Sequence, residues 1–511
     1  MKKQLLLTFS MLLVFLVSFA GKFVLIPLTE TNNLETLFNN KKLKIHHYCD
    51  DYVLATTEKL TYAGALVLDD SAFENNRPYA IVYCFDSFTE DYLTRITNSA
   101  KILYFGKEFL IMKYLSDGFV PAKKDGMIMV RNIEAKFPKS GSDFPVITEI
   151  DPKVQSLIEK VSISSIMDKI QHLQDYGTRA YFKPQAFEAQ EWIKSKFETM
   201  GLDVEVQYFS TAGNWMGAPD TSSANIIAIQ RGTKYPNEYI VCGAHYDSDS
   251  RLSWDNCPGA DDNASGTSGI LEIARILSQY KFERSIIYCC FSAEEIGLYG
   301  SYAYATRCRA QSMNIVGYFN LDMIGYLEPG AEIKINFSAP NAPNDLANYC
   351  YYVSNTYFPK IPFTCNNYVS SSDHRSFINN GYFGITSIEY DYKKNPSYHM
   401  PADTIGFGVN STEQVEVFVK VNLACIATLA KYDYIVKYNQ KASIYPNPAN
   451  DKLFIEDVFI GQNIDIIDIN GKLVARKTNY SNITGVEIAH LARGVYFVKI
   501  SNIVVGKFVK K

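Results

Sequence analysis

Little in this chain points to nucleic acid, to a membrane span or to a cysteine-bound metal. Its 50 basic and 54 acidic residues leave a formal net charge of −4, so the basic excess of a nucleic-acid-binding protein is missing. None of its ten cysteines forms a CxxC pair, which argues against a cysteine zinc site. After the first twenty residues, no apolar run reaches the roughly 20 residues that a membrane span needs. We therefore expect no nucleic-acid partner and no stable transmembrane segment.

The first twenty residues have the organisation of a cleaved signal peptide. Lys2 and Lys3 provide a positive start, residues 5–17 are almost continuously apolar, and S-F-A at 18–20 resembles a small-x-small cleavage site. The apolar run is short for a membrane anchor. We predict a signal peptide over residues 1–20 and export of the chain, which leaves the pairing of the cysteines open.

The rest of the chain falls into three segments of different pattern, as its 511 residues and ordinary globular composition lead us to expect. Residues 21–148 hold short apolar runs that predict a β-rich N-terminal accessory domain or pro-domain. Over residues 149–436, helices alternate with short buried strands, which predicts an α/β fold with three α/β/α layers and a mixed, mostly parallel sheet. Residues 441–511 predict a small β-sandwich, in which Asn470 and Gly471 mark a two-residue hairpin turn.

Three predicted strands of the α/β segment end on side chains that bind metals. His245 follows the buried run 239–244, Glu294 and Glu295 follow the run 285–291, and Asp322 follows the run 315–321. Ligands of open α/β sheets bind at the carboxyl ends of the strands. One such coincidence would carry little weight, but three within about 80 residues indicate a site.

Two further segments contain side chains of the kinds that bind metals. Asp261 and Asp262 lie in the tight turn 258–266 before an apolar helix, and His399 follows the loop 395–398. Only seven histidines occur in the chain, and two of them fall at the predicted ligand positions. Imidazole and carboxylate groups suit zinc, and a bridging Asp with one His and one further carboxylate per ion would hold two ions. The sequence therefore predicts a two-zinc centre.

Five ordered blocks over about residues 150–435 resemble the secreted bacterial leucyl-aminopeptidase family of di-zinc exopeptidases, which also includes the glutaminyl cyclases. The blocks are G-A-H-Y-D-S (243–248), P-G-A-D-D-N-A-S-G (258–266), A-E-E-I-G (293–297), N-L-D-M (320–323) and Y-H-M-P-A-D-T (398–404). The resemblance implies the zinc-exopeptidase form of the α/β/α fold. It also implies hydrolysis of the first bond of peptides that have a free N-terminus.

Carried over position by position, the resemblance implies a set of five zinc ligands. His245 and Asp322 would hold one zinc, Glu295 and His399 would hold the other, and Asp262 would bridge both. Each zinc would then have three protein ligands.

Two further acids receive catalytic roles. Glu294 would be the general base that takes a proton from the attacking water and passes it to the leaving amine. Asp247, two residues beyond His245 along an extended segment, would orient that imidazole. Asp261 competes with Asp262 for the bridging position, although the family pattern uses the second Asp of the pair.

Three neighbouring residues keep open or minor roles. Asp403 fits a turn or cap residue and a supporting residue of the site equally well. Tyr368 lies near the S-D-H motif at 372–374, where some relatives carry a tyrosine that stabilises the tetrahedral intermediate. It stands one position out of register, so it is not among the predicted site residues. His374 is expected to be structural.

The C-terminal segment resembles the sorting domain of the Por-type (type IX) secretion system. The matching stretches are Y-P-N-P (445–448), N-G-K (470–472), L-A-R-G-V-Y (491–496) and K-F-V-K-K (507–511). The resemblance implies the secretion machinery as a partner and export through the periplasm of a Gram-negative bacterium to a secreted or cell-surface location. A carbohydrate-binding or spacer β-sandwich is the alternative.

The sequence thus predicts a secreted metallo-aminopeptidase with two zinc ions per chain. The nearest rival is a glutaminyl cyclase on the same fold. Such cyclases typically use one zinc and an altered acidic turn, whereas P-G-A-D-D-N at 258–263 keeps the peptidase form. A catalytically inactive surface-binding domain is the rival of another class, which the presence of all five predicted ligands disfavours.

Overall fold

The computed structural model describes residues 21–30, 32–74, 77–84, 88–97, 100–115, 126–137, 144–211, 222–339, 345–366, 371–431, 444–456, 463–478, 483–500 and 503–511. The predicted signal peptide, residues 1–20, lies outside them. The chain divides into two compact units, Met1–Tyr432 and Asp433–Lys511. In the described part of the chain, no helix is both long and apolar enough to cross a membrane.

The first unit begins with two four-stranded antiparallel sheets. Its elements are β1 (Lys22–Pro27), α1 (Leu34–Phe38), β2 (Leu43–Tyr48), β3 (Tyr52–Thr57), β4 (Leu66–Asp69), β5 (Tyr79–Tyr83), α2 (Glu90–Thr97), β6 (Ala100–Phe105), β7 (Phe109–Tyr114) and β8 (Gly126–Val130). The strand orders are β2-β3-β1-β4 and β6-β7-β5-β8, and the paired strands are antiparallel. The predicted β-rich character of this region is confirmed.

The rest of the first unit is built on an eight-stranded mixed sheet. Its elements are α3 (Pro152–Ile158), α4 (Ile163–Gln174), α5 (Pro184–Thr199), β9 (Asp203–Ser210), β10 (Ser222–Gln230), β11 (Tyr235–His245), α6 (Gly266–Leu277), β12 (Arg284–Phe291), α7 (Tyr299–Ala310), β13 (Asn314–Leu321), β14 (Ile335–Ser338), α8 (Asp345–Tyr357), β15 (Phe363–Asn366), α9 (His374–Asn379), β16 (Gly384–Ser387) and α10 (Thr412–Ala430). The order is β15-β14-β16-β13-β11-β12-β10-β9, with four parallel and three antiparallel pairs among the described strands. The predicted mixed, mostly parallel sheet is confirmed.

The middle strand β11 is buried on both faces, which gives the domain its three layers. Ile240, Cys242 and Ala244 lie in the apolar core that includes the helices α6 and α10. Val241, whose side chain points the opposite way, lies in a second core together with Tyr304 of α7. A strand covered by helices on both faces is a continuous apolar run, the pattern that the sequence shows at 239–244.

The second unit is a small β-sandwich. Its strands are β17 (Ile444–Tyr445), β18 (Lys452–Glu456), β19 (Asn463–Ile467), β20 (Leu473–Thr478), β21 (Ile483–Glu487), β22 (Gly494–Ile500) and β23 (Ile503–Lys510), and the two sheets have the orders β17-β18-β21 and β20-β19-β22-β23. The hairpin β19–β20 forms, but the predicted two-residue turn is wrong. Its loop has five residues because the Asp468 carboxylate accepts hydrogen bonds from the main-chain N–H groups of Asn470 and Lys472, each at 2.9 Å.

Candidate active site

The carboxyl ends of three neighbouring strands bring the predicted ligands together. β11 pairs in parallel with β12 on one side and with β13 on the other, so their carboxyl ends meet at one edge of the sheet. His245 is the last residue of β11, Asp322 follows β13 directly, and the residues that follow β12 form the turn 293–298 that carries Glu294 and Glu295. Residues far apart in the chain therefore line one buried site.

Asp262 lies between the two histidines. Its Oδ1 is 3.3 Å from Nε2 of His245, and its Oδ2 is 2.9 Å from Nε2 of His399. Burial alone would raise the pKa of Asp262, but the contacts with both imidazoles hold this pKa well below the usual range of a carboxyl. One carboxylate thus presents a separate oxygen to each histidine, as a ligand that bridges two metal ions would.

A chain of hydrogen bonds fixes Asp322. Ser372 Oγ donates to Asp322 Oδ2 at 2.6 Å, Asn320 Nδ2 donates to Ser372 Oγ at 2.7 Å, and Tyr318 OH donates to Asn320 Oδ1 at 2.7 Å. The other oxygen of Asp322, Oδ1, lies 3.3 Å from Nε2 of His245. These hydrogen bonds occupy one oxygen of Asp322 and leave the other oxygen facing His245.

Glu294 and Glu295 have different neighbours in the site. Glu295 Oε2 lies 3.4 Å from Nε2 of His399. A carboxylate oxygen of Glu294 lies within 4.8 Å of ligand atoms of His245 and Asp322. Burial raises the pKa of Glu294 well above the usual range of a carboxyl. The two neighbours therefore occupy distinct chemical positions, and Glu294 suits a group that holds a proton during a reaction.

The Asp247 carboxylate chiefly holds the turn 293–298. It accepts hydrogen bonds from the main-chain N–H of Glu294 at 3.2 Å and from that of Glu295 at 3.3 Å. Nδ1 of His245 lies 3.1 Å from the main-chain oxygen of Asp247 and 3.5 Å from its Oδ1. Since both neighbours of Nδ1 are acceptors, Nδ1 is the nitrogen that donates to them, and Nε2 is the nitrogen that a metal would take. The main-chain oxygen of Asp247 makes the closer contact with the ring.

Asp403 and Arg179 both bind the backbone of the acidic turn 258–266. The main-chain N–H groups of Asp261 and Asp262 donate to Asp403 Oδ1 and Oδ2, each at 2.9 Å. The fully buried Arg179 donates to the main-chain oxygens of Pro258 and Gly259, as well as to others upstream. The backbone of this turn is thus held by two side chains that come from distant parts of the sequence.

Asp261 points away from the histidines. Its Oδ1 accepts from the main-chain N–H of Gly325 at 2.8 Å, and its Oδ2 accepts from Asn395 Nδ2 at 3.0 Å. Burial and the neighbouring acids raise the pKa of Asp261 well above the usual range. The structure places the second acid of the pair, Asp262, between the histidines.

Three residues at or beside the ligands adopt left-handed backbone conformations that residues other than glycine rarely take. They are Ala293 (φ 57°), which precedes Glu294, Met323 (φ 50°), which follows Asp322, and His399 itself (φ 54°). Strained backbone of this kind persists where the surrounding contacts determine it, and it is concentrated at functional sites.

The donor set fits divalent metal ions. Five carboxylates, each at most 8% exposed, face only two imidazoles; they are Asp247, Asp262, Glu294, Glu295 and Asp322. Buried carboxylates need compensating charge, and burial would lower the pKa of His245, yet Glu294 and Asp322 raise it well above its usual value. Two overlapping groups of potential ligands occur, His245 with Glu294 and Asp322, and His245 with Asp262 and Glu295.

Sequence reasoning missed several residues of the site. Arg179 carried no local signal, and Ser372 was noted only as part of the S-D-H motif, because they contact Gly259 and Asp322 only through the fold. His374 is fully buried as the first residue of α9. Tyr368 lies outside the described residues.

The fold and this buried donor set together define an α/β domain built to hold metal ions at the carboxyl edge of its sheet. Residues 225–417 match the family model of Peptidase family M28, and residues 443–511 match that of the Secretion system C-terminal sorting domain. The resemblance of these two segments to the two families, which the sequence predicted, is confirmed.

Individual relatives agree with the family. The chain is 24% identical over 286 residues to a probable zinc metalloprotease of Pyrenophora tritici-repentis, a match that covers 47% of this chain and 66% of that protein. It is 27% identical over 298 residues to leucine aminopeptidase 1 of Sclerotinia sclerotiorum, covering 55% of this chain and 74% of the relative. The chain spans only 39% to 66% of the length of several curated relatives that it matches.

A solved structure shares the fold. LapB from Legionella pneumophila superposes with a TM-score of 0.56 at 20% sequence identity, and the match covers 70% of this chain and 100% of LapB. This likeness confirms the three-layer fold predicted for the α/β segment.

Proposed function

We propose that the protein is a secreted aminopeptidase that holds two zinc ions and hydrolyses the first peptide bond of peptides with a free N-terminus. One zinc would be held by His245, Asp262 and Asp322, and the other by His399, Asp262 and Glu295. The observation that carries the proposal is the position of Asp262, whose two oxygens lie 3.3 Å and 2.9 Å from Nε2 of the two histidines.

Glu294 is the general base in this proposal. Zinc, when bound, would supply Lewis acidity that polarises the scissile carbonyl and makes a water easier to deprotonate. Glu294 takes the proton of the attacking water and delivers it to the leaving amine. Asp247 keeps Glu294 in place through the main-chain N–H bond at 3.2 Å, and the buried position of the base excludes bulk water.

We expect two zinc ions per chain in the active protein and loss of activity in chelator. Elemental analysis of the purified protein measures the metal, and cleavage of matched peptides with free and N-acetylated ends measures the reaction. A peptide that begins with Gln serves as the control for cyclisation. One tight metal in a fully active protein, with Gln cyclisation instead of hydrolysis, would overturn the proposal and favour the glutaminyl cyclase.

The sorting domain supports delivery through type IX secretion to the surface of a Gram-negative bacterium or beyond it. Residues 443–511 lie within the second compact unit, which has a separate apolar core, and the proposed ligands all lie in the first unit. A chain that ends at residue 440 should therefore remain soluble and active but should no longer reach the cell surface in its native host. Peptidase activity in separated cell fractions measures where the truncated protein is located. If the truncated protein were folded but inactive, the C-terminal segment would be part of the catalytic unit.

A further inference from the structure

The N-terminal domain, which we define as residues 21–137, shares its apolar core with the turn that carries the two glutamates. Ala293 and Ile296 of that turn are fully buried in one cluster with Met127 and Met129 of β8. Leu298, at the end of the turn, is 3% exposed in a second cluster that is otherwise formed by the N-terminal domain. Removal of the domain would expose the apolar side chains on both sides of Glu294 and Glu295.

Met129 contacts the end of this turn, and Arg131 contacts the start of the helix that follows it. Gly297 adopts φ +114°, and a Cβ added there would lie 2.6 Å from Met129 Cγ, so the backbone of the turn touches the methionine. The Arg131 guanidinium lies 4.5 Å from the ring centre of Tyr299 and 4.3 Å from that of Tyr302. Since α7 begins at Tyr299, one cation ties the first turn of this helix to the N-terminal domain.

A second segment of the site is tied to the same domain. Ser372, which donates to Asp322, is followed by α9, whose fully buried Arg375 donates to the main-chain oxygen of Tyr48 at 3.0 Å. Tyr48 OH in turn donates to the main-chain oxygen of Ile378 at 3.3 Å. The domain thus contacts the segments that carry the proposed base and the support of Asp322.

We propose that the N-terminal domain is a permanent part of the catalytic unit, in which Met129 and Arg131 are positioning residues for the turn that carries Glu294 and Glu295. It is therefore not an inhibitory pro-domain that is removed on maturation. The catalytic role of Glu294 and Glu295 rests on the proposed function, whereas the contacts between the N-terminal domain and their turn are independent of it.

Hydrogen exchange of the turn tests the proposal without metal or substrate. In metal-free Arg131→Ala, and separately in Met129→Ala, we expect the amides of residues 294–299 to exchange at least about ten-fold faster than in the wild type, because local opening becomes easier. Arg309→Ala is the matched control. Arg309 lies in the last turn of α7 and donates to the main-chain oxygen of Glu134, so it removes another contact with the same domain, away from the turn. Equal protection in all variants would overturn the proposal.

Kinetics and metal binding provide the second measurement. We expect Arg131→Ala to lower kcat about 10-fold to 100-fold, since small displacements of catalytic groups are costly, while KM changes little. One zinc should also be lost more readily to a competing chelator. Arg131→Lys should restore part of kcat and part of the zinc affinity. If the wild type hydrolyses no peptide, the proposed function fails while the exchange result still stands.

The N-terminal residue of the mature protein provides an independent test of whether the N-terminal domain is retained. Mass analysis of the active protein secreted by its native host should find residues 21–137 attached. A single engineered cleavage of the chain between β7 and β8 should leave the two fragments associated and the activity intact. An active mature protein without residues 21–137, or a rise in activity after their removal, would show that the domain is a pro-domain.

Discussion

Glu294→Gln is expected to lower kcat by roughly 10²–10⁴ while zinc content and KM stay close to those of the wild type. The amide keeps the shape of the carboxylate but cannot accept the proton of the attacking water. Asp262 and Glu295 both contact His399, and Glu294 is not among the five proposed zinc ligands. The variant therefore separates the chemical step from metal binding and from folding. Steady-state kinetics together with metal analysis on the same preparation measure the effect.

The neighbouring variant Glu295→Gln should behave differently. It removes the carboxylate charge that lies 3.4 Å from Nε2 of His399, so the second zinc should bind more weakly and activity should recover in part when zinc is added. Glu413→Gln, at the exposed start of α10, is the matched control and should change neither quantity. Near-normal turnover in Glu294→Gln, combined with full metal content in Glu295→Gln, would require the two roles to be exchanged.

The positions of these ligands could be predicted from the sequence because they depend on local signals. A strand buried on both faces is a continuous apolar run, so the ends of β11, β12 and β13 could be located to within a residue or two from residues 239–244, 285–291 and 315–321. Parallel neighbours then bring their carboxyl ends to one edge. The same physics explains why the mixed sheet was predicted correctly, while the loop of the hairpin β19–β20 was not, since the hydrogen bonds of Asp468 decide its length.

The supports of the ligands could not be predicted in this way, because each acts across a long stretch of chain. Arg179 reaches Gly259 over 80 residues, and Ser372 reaches Asp322 over 50. No sequence pattern predicts the contact of Met129 with Gly297, because an apolar side chain in a strand and a glycine in a turn are both common. The sequence therefore predicted what could bind the metals, but only the fold shows what holds the binding groups still.

Asp403, for which the sequence left a turn role and a supporting role open, also supports the site, and Asp403→Asn is expected to have a comparably large effect. Its two carboxylate oxygens accept from the main-chain N–H groups of Asp261 and Asp262, each at 2.9 Å, in a site where Asp403 is 2% exposed. Asparagine has the same shape but only one acceptor oxygen, so its NH₂ group would face a buried N–H donor. Leaving one buried N–H unpaired costs about 1–3 kcal/mol, and the repulsion of two donors adds to this.

The unpaired N–H would displace the backbone of the acidic turn and with it Asp262, which both proposed zinc sites share. Asp403→Asn should therefore weaken the binding of both zinc ions together and lower kcat at least about 100-fold. This distinguishes it from Glu295→Gln, which affects one ion. Asp151→Asn is the matched control, because Asp151 also accepts a main-chain hydrogen bond, from Lys153 N–H at 2.8 Å, but at the exposed start of α3. Zinc titration against a competing chelator and a thermal melt of each variant measure both effects. Retention of two tightly bound zinc ions by Asp403→Asn would show that the acidic turn keeps its shape without the carboxylate, and that Asp403 is an ordinary turn residue.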